Sequence, residues 1–415
     1  VSSNFPGVHD LETSHTRLSS QAKKARVREE YSRLLDYQQA HELSYKAYEG
    51  SIRICHRSDV EMGCPARIYP LSQPKNYEPP VPRWSLRLSQ DVEHIYIAYV
   101  GVQSHITNEP PPAQAVKDVE SWIAKADERP LVVDSFTVVD GHDVPHSRVW
   151  ACYWTDKAAW GRSMERLRLT DLHGELGQGR SSVGLWCETF STPVERLETN
   201  YSGLDHAPGL ASLPNTDRLP HKLTAYWGAA RDRVPASAYD RFEITSASDP
   251  PAKVPAGIGE HLEGSNYENM VHIRSGQYWV NCNAEEREAY ESTLEPTLMA
   301  GMGYLWENPV KTGTLGLRFL RNLGPDQSPL NETCGAGFFR NLADLEQWAK
   351  RHPSHLAIFN GAHRHAKAFG DERKFRTWHE VSVLKAGEAQ FEYVNCLPRT
   401  GVIRFVNLKK EPLAA

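Results

Sequence analysis

Runs of β-branched and aromatic residues at 95–100, 131–139, 148–154, 182–190, 223–227, 270–273, 378–384, 391–395 and 402–405 predict strands. Apolar positions recur with helical period over 113–125, 156–168, 284–302 and 342–369, the last interrupted by Pro353. Proline clusters at 70–82, 110–112 and 250–255 can continue neither a helix nor a central strand, so they mark loops. Residues 1–60 are polar, and within them 20–48 carry dense Lys, Arg, Glu and Gln with sparse Leu and Tyr. That pattern predicts a solvated helical extension wrapped around a single domain spanning 61–415.

The patterns also repeat. Leu185-Trp186-Cys187-Glu188 followed by Leu197-Glu198-Thr199-Asn200-Tyr201 resembles Thr377-Trp378-His379-Glu380 followed by Phe391-Glu392-Tyr393-Val394-Asn395, with the tryptophans offset by 378 − 186 = 192. Trp160 and Trp348, each on a helical pattern, are offset by 348 − 160 = 188. Residues 95–99 precede the first copy much as 270–274 precede the second. This order predicts an α+β fold of two related halves, about 90–240 and 265–410, each a split βαβ unit with helices on one face of an antiparallel sheet. Side by side, two such sheets form a β-barrel-like core with surrounding helices and a cavity between the two layers.

Composition narrows the function classes. The 415 residues, 40% of them hydrophobic, suffice for a sizeable core. With 47 Lys+Arg against 52 Asp+Glu, the net charge of -5 gives no basic field to gather phosphates, which argues against nucleic acid as a partner. No apolar run approaches the roughly 20 residues of a membrane span. The first residues lack the basic-then-apolar order of a secretory signal. Seven scattered cysteines form no CxxC pair and no covalent haem-attachment motif, which predicts reduced thiols in a cytoplasmic protein.

The count of 18 histidines is generous, and five of them (His352, His355, His363, His365, His379) fall between positions 352 and 379. Advancing about 100° per residue from His355 brings Phe359, Ala362, Ala366 and Phe369 to within about 40° of it. His355 thus centres an apolar stripe where small Ala362 and Ala366 would admit a flat ligand, and His363 and His365 diverge toward solvent. A core histidine with a satisfied ring is the first reading of His355. An axial ligand of haem iron is the second, since one imidazole suffices there. Zinc ranks last, because His352-Pro-Ser-His355 lacks the glutamate and third ligand of a helical zinc motif. Alternation in 378–384 puts His379, Val381 and Val383 on one strand face, so His379 is either a core residue or an acid/base aimed into a cavity. Ser275, before Gly276, is expected exposed at a strand end, as a turn serine or a hydrogen-bond donor. Arg231-Asp232-Arg233 follows the 223–227 strand, and surface pairing or anchoring of a polar ligand both fit it.

Taken together, His352-Pro-Ser-His355-Leu-Ala-Ile-Phe359, Trp378-His379-Glu-Val-Ser-Val383, Phe391-Glu-Tyr-Val-Asn395-Cys396 with Thr400-Gly401, Ile273-Arg-Ser275-Gly-Gln277 and Tyr226-Trp-Gly228 resemble the haem-containing aldoxime dehydratases over about residues 60–410. The resemblance implies a ferredoxin-like α+β barrel related to that of chlorite dismutases, haem b with ferrous iron in the active form, a homodimer, and conversion of R–CH=N–OH to R–C≡N plus water. Carried over by motif, His355 resembles the proximal iron ligand, with Phe359 and Ala362 beside it against the haem. His379 resembles the distal acid/base, and Ser275 the serine that bonds the oxime hydroxyl. The distal arginine falls at Arg231 or Arg233, and the acidic partner at Glu198 or, as second choice, Glu188. The polar N-terminus and the loops near 246–264 depart from the bacterial pattern and are closer to a fungal member. Rival readings on the same fold are a haem oxidoreductase of peroxidase or chlorite dismutase type and a non-enzymatic haem-binding protein.

Overall fold

The computed structural model describes residues 67–413, apart from 107–108, 126 and 244–249. The helix expected at 20–48, together with Cys55 and Cys64, lies outside the described residues, as does part of the 246–264 loop. Strands β1 (Arg83–Arg87) and β2 (His94–Ser104) lead into helix α1 (Ala113–Ile123), β3 (Val132–Gly141) and β4 (Arg148–Trp154). Helices α2 (Lys157–Arg166) and α3 (Leu169–Glu175), strands β5 (Val183–Pro193), β6 (Leu197–Tyr201) and β7 (Asp217–His221), and the short α4 (Ala229–Arg233) follow. A second series comprises β8 (Glu260–Ser265), β9 (Met270–Tyr278), α5 (Ala284–Ala289), α6 (Glu295–Glu307), α7 (Pro309–Thr312), β10 (Thr314–Leu323) and β11 (Pro329–Phe339). It ends with α8 (Leu342–Arg351), α9 (Pro353–Phe369), β12 (Arg376–Leu384), β13 (Ala389–Val394) and β14 (Lys409–Pro412).

All described strands join one antiparallel sheet in the order β14-β8-β13-β5-β2-β4-β3-β10-β11-β9-β12-β6-β1-β7. The block β5-β2-β4-β3 and the block β10-β11-β9-β12 have the same internal order, each built as strand, helix, two strands, helix, strand. β3 pairs with β10 to join the blocks, and β5 comes against β12, which curls the eight strands into a barrel-like form. The strand after each block crosses to the other one: β6 pairs with β12, setting Tyr201 opposite Trp378, and β13 pairs with β5, setting Tyr393 opposite Trp186.

Alternation along the strands divides the core in two. Ile97, Tyr99, Trp186, Phe190, Met270, Phe338 and Trp378 turn inward to one cluster. On the outer face of the first block, Tyr96, Val100, Trp154, Leu185 and Cys187 pack against α1 and its Trp122. On the outer face of the second, Val271, Leu317, Phe319, Val381 and Val383 pack against Leu298 and Met302 of α6 and Leu345 and Trp348 of α8. The inner cluster also encloses charge. Arg318 binds Glu188 through two bonds of 2.7 and 2.8 Å and Asp143 at 2.9 Å, while Arg274 binds Asp134 at 2.7 Å. Burial pushes the Glu380 carboxyl from its ordinary 4.5 up to about 7, against the pull of Arg274 and a bond from the Leu210 N–H. A carboxyl raised in this way stabilises the fold fully below its unfolded pKa and loses that contribution as pH rises through the folded one. Thermal melts of Glu380→Gln and the parent between pH 5 and 8 should therefore diverge. The parent loses on the order of 1–3 kcal/mol more than the variant across that window.

Two glycines fit the barrel to its tryptophans. A Cβ at Gly101 on β2 would overlap the Trp186 indole, and one at Gly276 on β9 would overlap that of Trp378. Gly276→Ala should lower stability by about 1–3 kcal/mol through overpacking, as read by denaturant melts.

Three expectations need correction. Residues 223–227 form no strand: Ala225 takes a positive φ of 61°, and Tyr226 folds back to donate its hydroxyl to Asp232 at 2.8 Å. Residues 402–405 are a turn after Gly401 (φ 52°), and Val402 and Ile403 are buried by insertion into the core and not by sheet pairing. β9 runs through to Tyr278, so Ser275 sits inside a strand and not at its end. The hairpin β10–β11 was not foreseen, since Gly316, Pro329, Gly335 and Gly337 dilute its alternation.

Candidate active site

The outer face of the second block carries the residues of interest. Register places Ser275 of β9 opposite His379 of β12, and His379 opposite Asn200 of β6. Two positions along, Val381 lies opposite Glu198, so the Glu198 and His379 side chains project from the same face. His379 Nε2 lies 3.0 Å from Glu198 Oε1 and 3.0 Å from an Arg233 NH2 group. Arg233 in turn donates its Nε–H to the same Glu198 oxygen. Glu198 is fully buried, and Arg233 is only 6% exposed, whereas 26% of the His379 side chain remains open. Burial opposes the Glu198 charge, but Arg233 and His379 outweigh it and hold the carboxyl below its ordinary range. Glu198 Oε1 thus meets both Arg233 and His379, whose Nε2 either donates to Glu198 or accepts from Arg233, and Nδ1 has no hydrogen-bond partner among the described residues. The Ser275 hydroxyl, half-buried, makes no hydrogen bond among the described residues and faces the same space.

α4 brings Arg233 here. Its N-cap Gly228 has φ 99°, a left-handed conformation that favours glycine, and it turns the chain directly from Trp227 into the helix. Arg231, two residues earlier, points elsewhere and pairs with Glu346 at 2.7 Å. Glu188 lies inside the barrel, held by Arg318 and by the Tyr393 hydroxyl at 2.6 Å. Of the alternatives open from sequence, Arg233 and Glu198 are therefore the two that meet His379.

Across from this cluster runs α9. It leans on α6, where Ile358 sits at Gly301, and on Leu294, which sits at Gly361. His365 is its only buried residue, although the helix spans 17 residues. His355, Phe359, Ala362 and Ala366 are half-buried and form one apolar face of the helix. The His355 ring meets Trp348 edge-on at 4.7 Å, and Phe359 meets Trp227 at 5.8 Å. Burial pushes the His355 imidazole down to about 4; the Ala349 backbone opposes this, and the charge of His379 adds to it. The ring is thus neutral at physiological pH, as a metal ligand must be, and α9 offers one imidazole on a half-open apolar surface. His352 is engaged otherwise, stacked on Tyr304 at 3.9 Å and capping α9. The His/acid grouping able to hold a metal among the described residues is His261–Glu263–Glu392, which contains neither member of the HxxH pattern.

The expected solvation of His365 is wrong. It is buried and bonded to Glu286 at 3.2 Å, because α9 turns that side toward α5. Trp348 and the His221–Asn200 pair, 3.2 Å apart, were missed as neighbours of the site. Trp348 precedes His355 by two turns, but the break at Pro353 hides their alignment, and no sequence signal marks His221.

A sequence model of a family described as haem-containing dehydratase matches residues 98–402. An aliphatic aldoxime dehydratase of Pseudomonas chlororaphis is 33% identical over 360 residues, covering 83% of this chain and 97% of its own. A phenylacetaldoxime dehydratase of a Bacillus strain is 28% identical, covering 82% and 97%. Among solved structures, an aldoxime dehydratase in complex with butyraldoxime superposes with a TM-score of 0.73 at 28% identity, covering 83% of this chain and 94% of its own.

Proposed function

Because the chain belongs to the haem-containing dehydratases, we propose that His355 binds the haem iron and that the Glu198–Arg233–His379 cluster, with Ser275, is the acid–base side of an aldoxime dehydratase, R–CH=N–OH → R–C≡N + H2O. The observation that carries this assignment is the convergence of the two histidines on one space, His379 from the sheet and His355 from the half-open face of α9. The residues fit haem b: a neutral imidazole, small Ala362 beside it, and Phe359 and Trp227 as apolar walls. When bound, haem supplies an iron centre that takes the oxime nitrogen and feeds electron density toward the N–O bond.

The chain's own residues move the protons. Glu198 accepts from His379 Nε2–H, so the other ring nitrogen exchanges protons with substrate. As imidazolium, His379 donates to the departing oxime oxygen, which leaves as water; as the neutral base that results, it takes the proton from the aldoximic carbon. Two bonds, N–O and C–H, break, and the histidine returns to its starting state. Arg233 holds Glu198 ionised and fixes its orientation. Ser275, with its hydroxyl uncommitted, orients the oxime O–H beside His379 and contributes through position.

A duplication of the two halves belongs to the same proposal. It is supported by their equal strand order, by the Gly101–Trp186 and Gly276–Trp378 fits, and by the crossed partners Tyr201 and Tyr393. So do a single domain from residue 61 and a homodimer, carried by the family resemblance, and a cytoplasmic setting, carried by the scattered cysteines. Titrating the dithionite-reduced protein with an aldoxime tests the site. The Soret band should shift with saturation, and a band that does not move would contradict substrate binding at the iron.

A further inference from the structure

We propose that His261 and Glu263 of β8 and Glu392 of β13 bind one divalent cation of zinc type, on strands that carry none of the residues grouped around His379 and His355. Leu262 and Tyr393 turn into the inner cluster, so alternation sends His261, Glu263 and Glu392 to the outer face. Glu392 lies opposite Glu263 in register, and His261 is two positions along the same strand. His261 Nε2 stands 3.0 Å from Glu392 Oε1 and 3.9 Å from Glu263 Oε1. Donors of a tetrahedral zinc shell, each about 2.0–2.1 Å from the metal, are roughly 3.3 Å apart. The three groups therefore already stand near coordination spacing, with a fourth position open on the exposed Glu263 side. One imidazole with carboxylates suits zinc, whereas calcium and magnesium call for a larger shell of oxygens.

Charge on this face of β13, β8 and β14 points to a cation as well. Its acidic groups are Glu263, Glu392 and Glu411, the last opposite His261 in register, against the ammonium of Lys409, which pairs with Glu411 at 2.7 Å. Lys410 turns to the other face and meets Glu260. An imidazolium offsets one of the two remaining charges; a divalent ion beside a neutral imidazole offsets both. Burial pushes the Glu392 carboxyl above its ordinary range and the Glu263 charge adds to this, against the pull of His261.

The position in the fold is a second, independent observation. β13, β8 and β14 follow β5 in the sheet as β6, β1 and β7 follow β12, and Tyr393 faces Trp186 as Tyr201 faces Trp378. By that register Cys187 takes the place of His379, and Glu392 that of Asn200. One strand further out, Glu411 opposite His261 takes the place of His221 opposite Arg83. The outer face that groups side chains around His379 in one half thus groups metal donors around His261 in the other. A bound ion ties β8, which with β14 forms one edge of the sheet, to β13.

The test titrates the EDTA-treated holoprotein with Zn²⁺ by calorimetry. One equivalent should bind per chain, persist in excess Mg²⁺, and raise the thermal midpoint by roughly 2–5 °C at saturation. His261→Gln, Glu263→Gln and Glu392→Gln should each weaken binding by about tenfold or more and remove most of that rise. His146→Gln, at an exposed histidine, should leave both unchanged. X-ray absorption at the zinc edge should show nitrogen and oxygen neighbours with the outer-shell scattering of one imidazole, which His261→Gln removes. No bound zinc would overturn the site and leave His261 as an imidazolium paired with the carboxylates. Zinc bound with one affinity by the parent and all three variants would overturn it too, as scattered surface binding. Neither readout uses nitrile formation, so the site stands or falls apart from the roles given to His355 and His379.

Discussion

His379→Ala should take up haem with the parent Soret spectrum and lose about 10²- to 10⁴-fold in kcat, the usual contribution of a positioned acid/base. The side chain sits on β12 with Nε2 within 3.0 Å of both Glu198 and Arg233, and Nδ1 has no hydrogen-bond partner among the described residues. Removing it leaves the Glu198–Arg233 pair intact, so the charge balance of the buried cluster survives and the protein should fold. Nothing then remains beside Ser275 to protonate a departing oxygen. Haem content by pyridine haemochrome, set against nitrile formed per haem, checks this. A variant that loses haem yet keeps turnover per haem would exchange the roles given to His379 and His355.

His355→Ala should purify without haem, or with haem so loosely held that gel filtration strips it. Trp348 and Phe359 border the ring but supply no ligand, and His352 is committed to Tyr304 and to the cap of α9. Added imidazole should fill the cavity left by the ring and restore a Soret band. Retention of haem with an unchanged spectrum would show that the iron ligand lies elsewhere.

The outline of the fold was legible because its strands obey simple alternation. Residues 148–154 are a strand with those bounds, and the segment 182–190 needed only extension to Val183–Pro193. The repeat anchored on Trp186 and Trp378 marked the two positions where a glycine admits an indole in each half. What escaped did so for physical reasons. In β10 and β11 glycines required by close backbone approach replace the β-branched residues that announce a strand, as at Gly337, where a Cβ would meet Leu317. At 223–227 the apolar run serves packing of a turn, since one positive φ at Ala225 ends any extended conformation. In the candidate site, stripe and alternation single out His355 and His379, but which of Arg231 and Arg233 meets His379 depends on the short helix that separates their directions.

On the proposed reading this chain forms nitriles from aldoximes, with haem held by His355 and protons moved by His379. Gas chromatography of the products from a panel of aliphatic and aryl-aliphatic aldoximes, incubated with the dithionite-reduced holoprotein under anaerobic conditions, tests it most directly. The account predicts nitrile from at least one member of the panel, in amounts that depend on His379. Absence of nitrile throughout, together with turnover of peroxide or chlorite by the ferric protein, would contradict it.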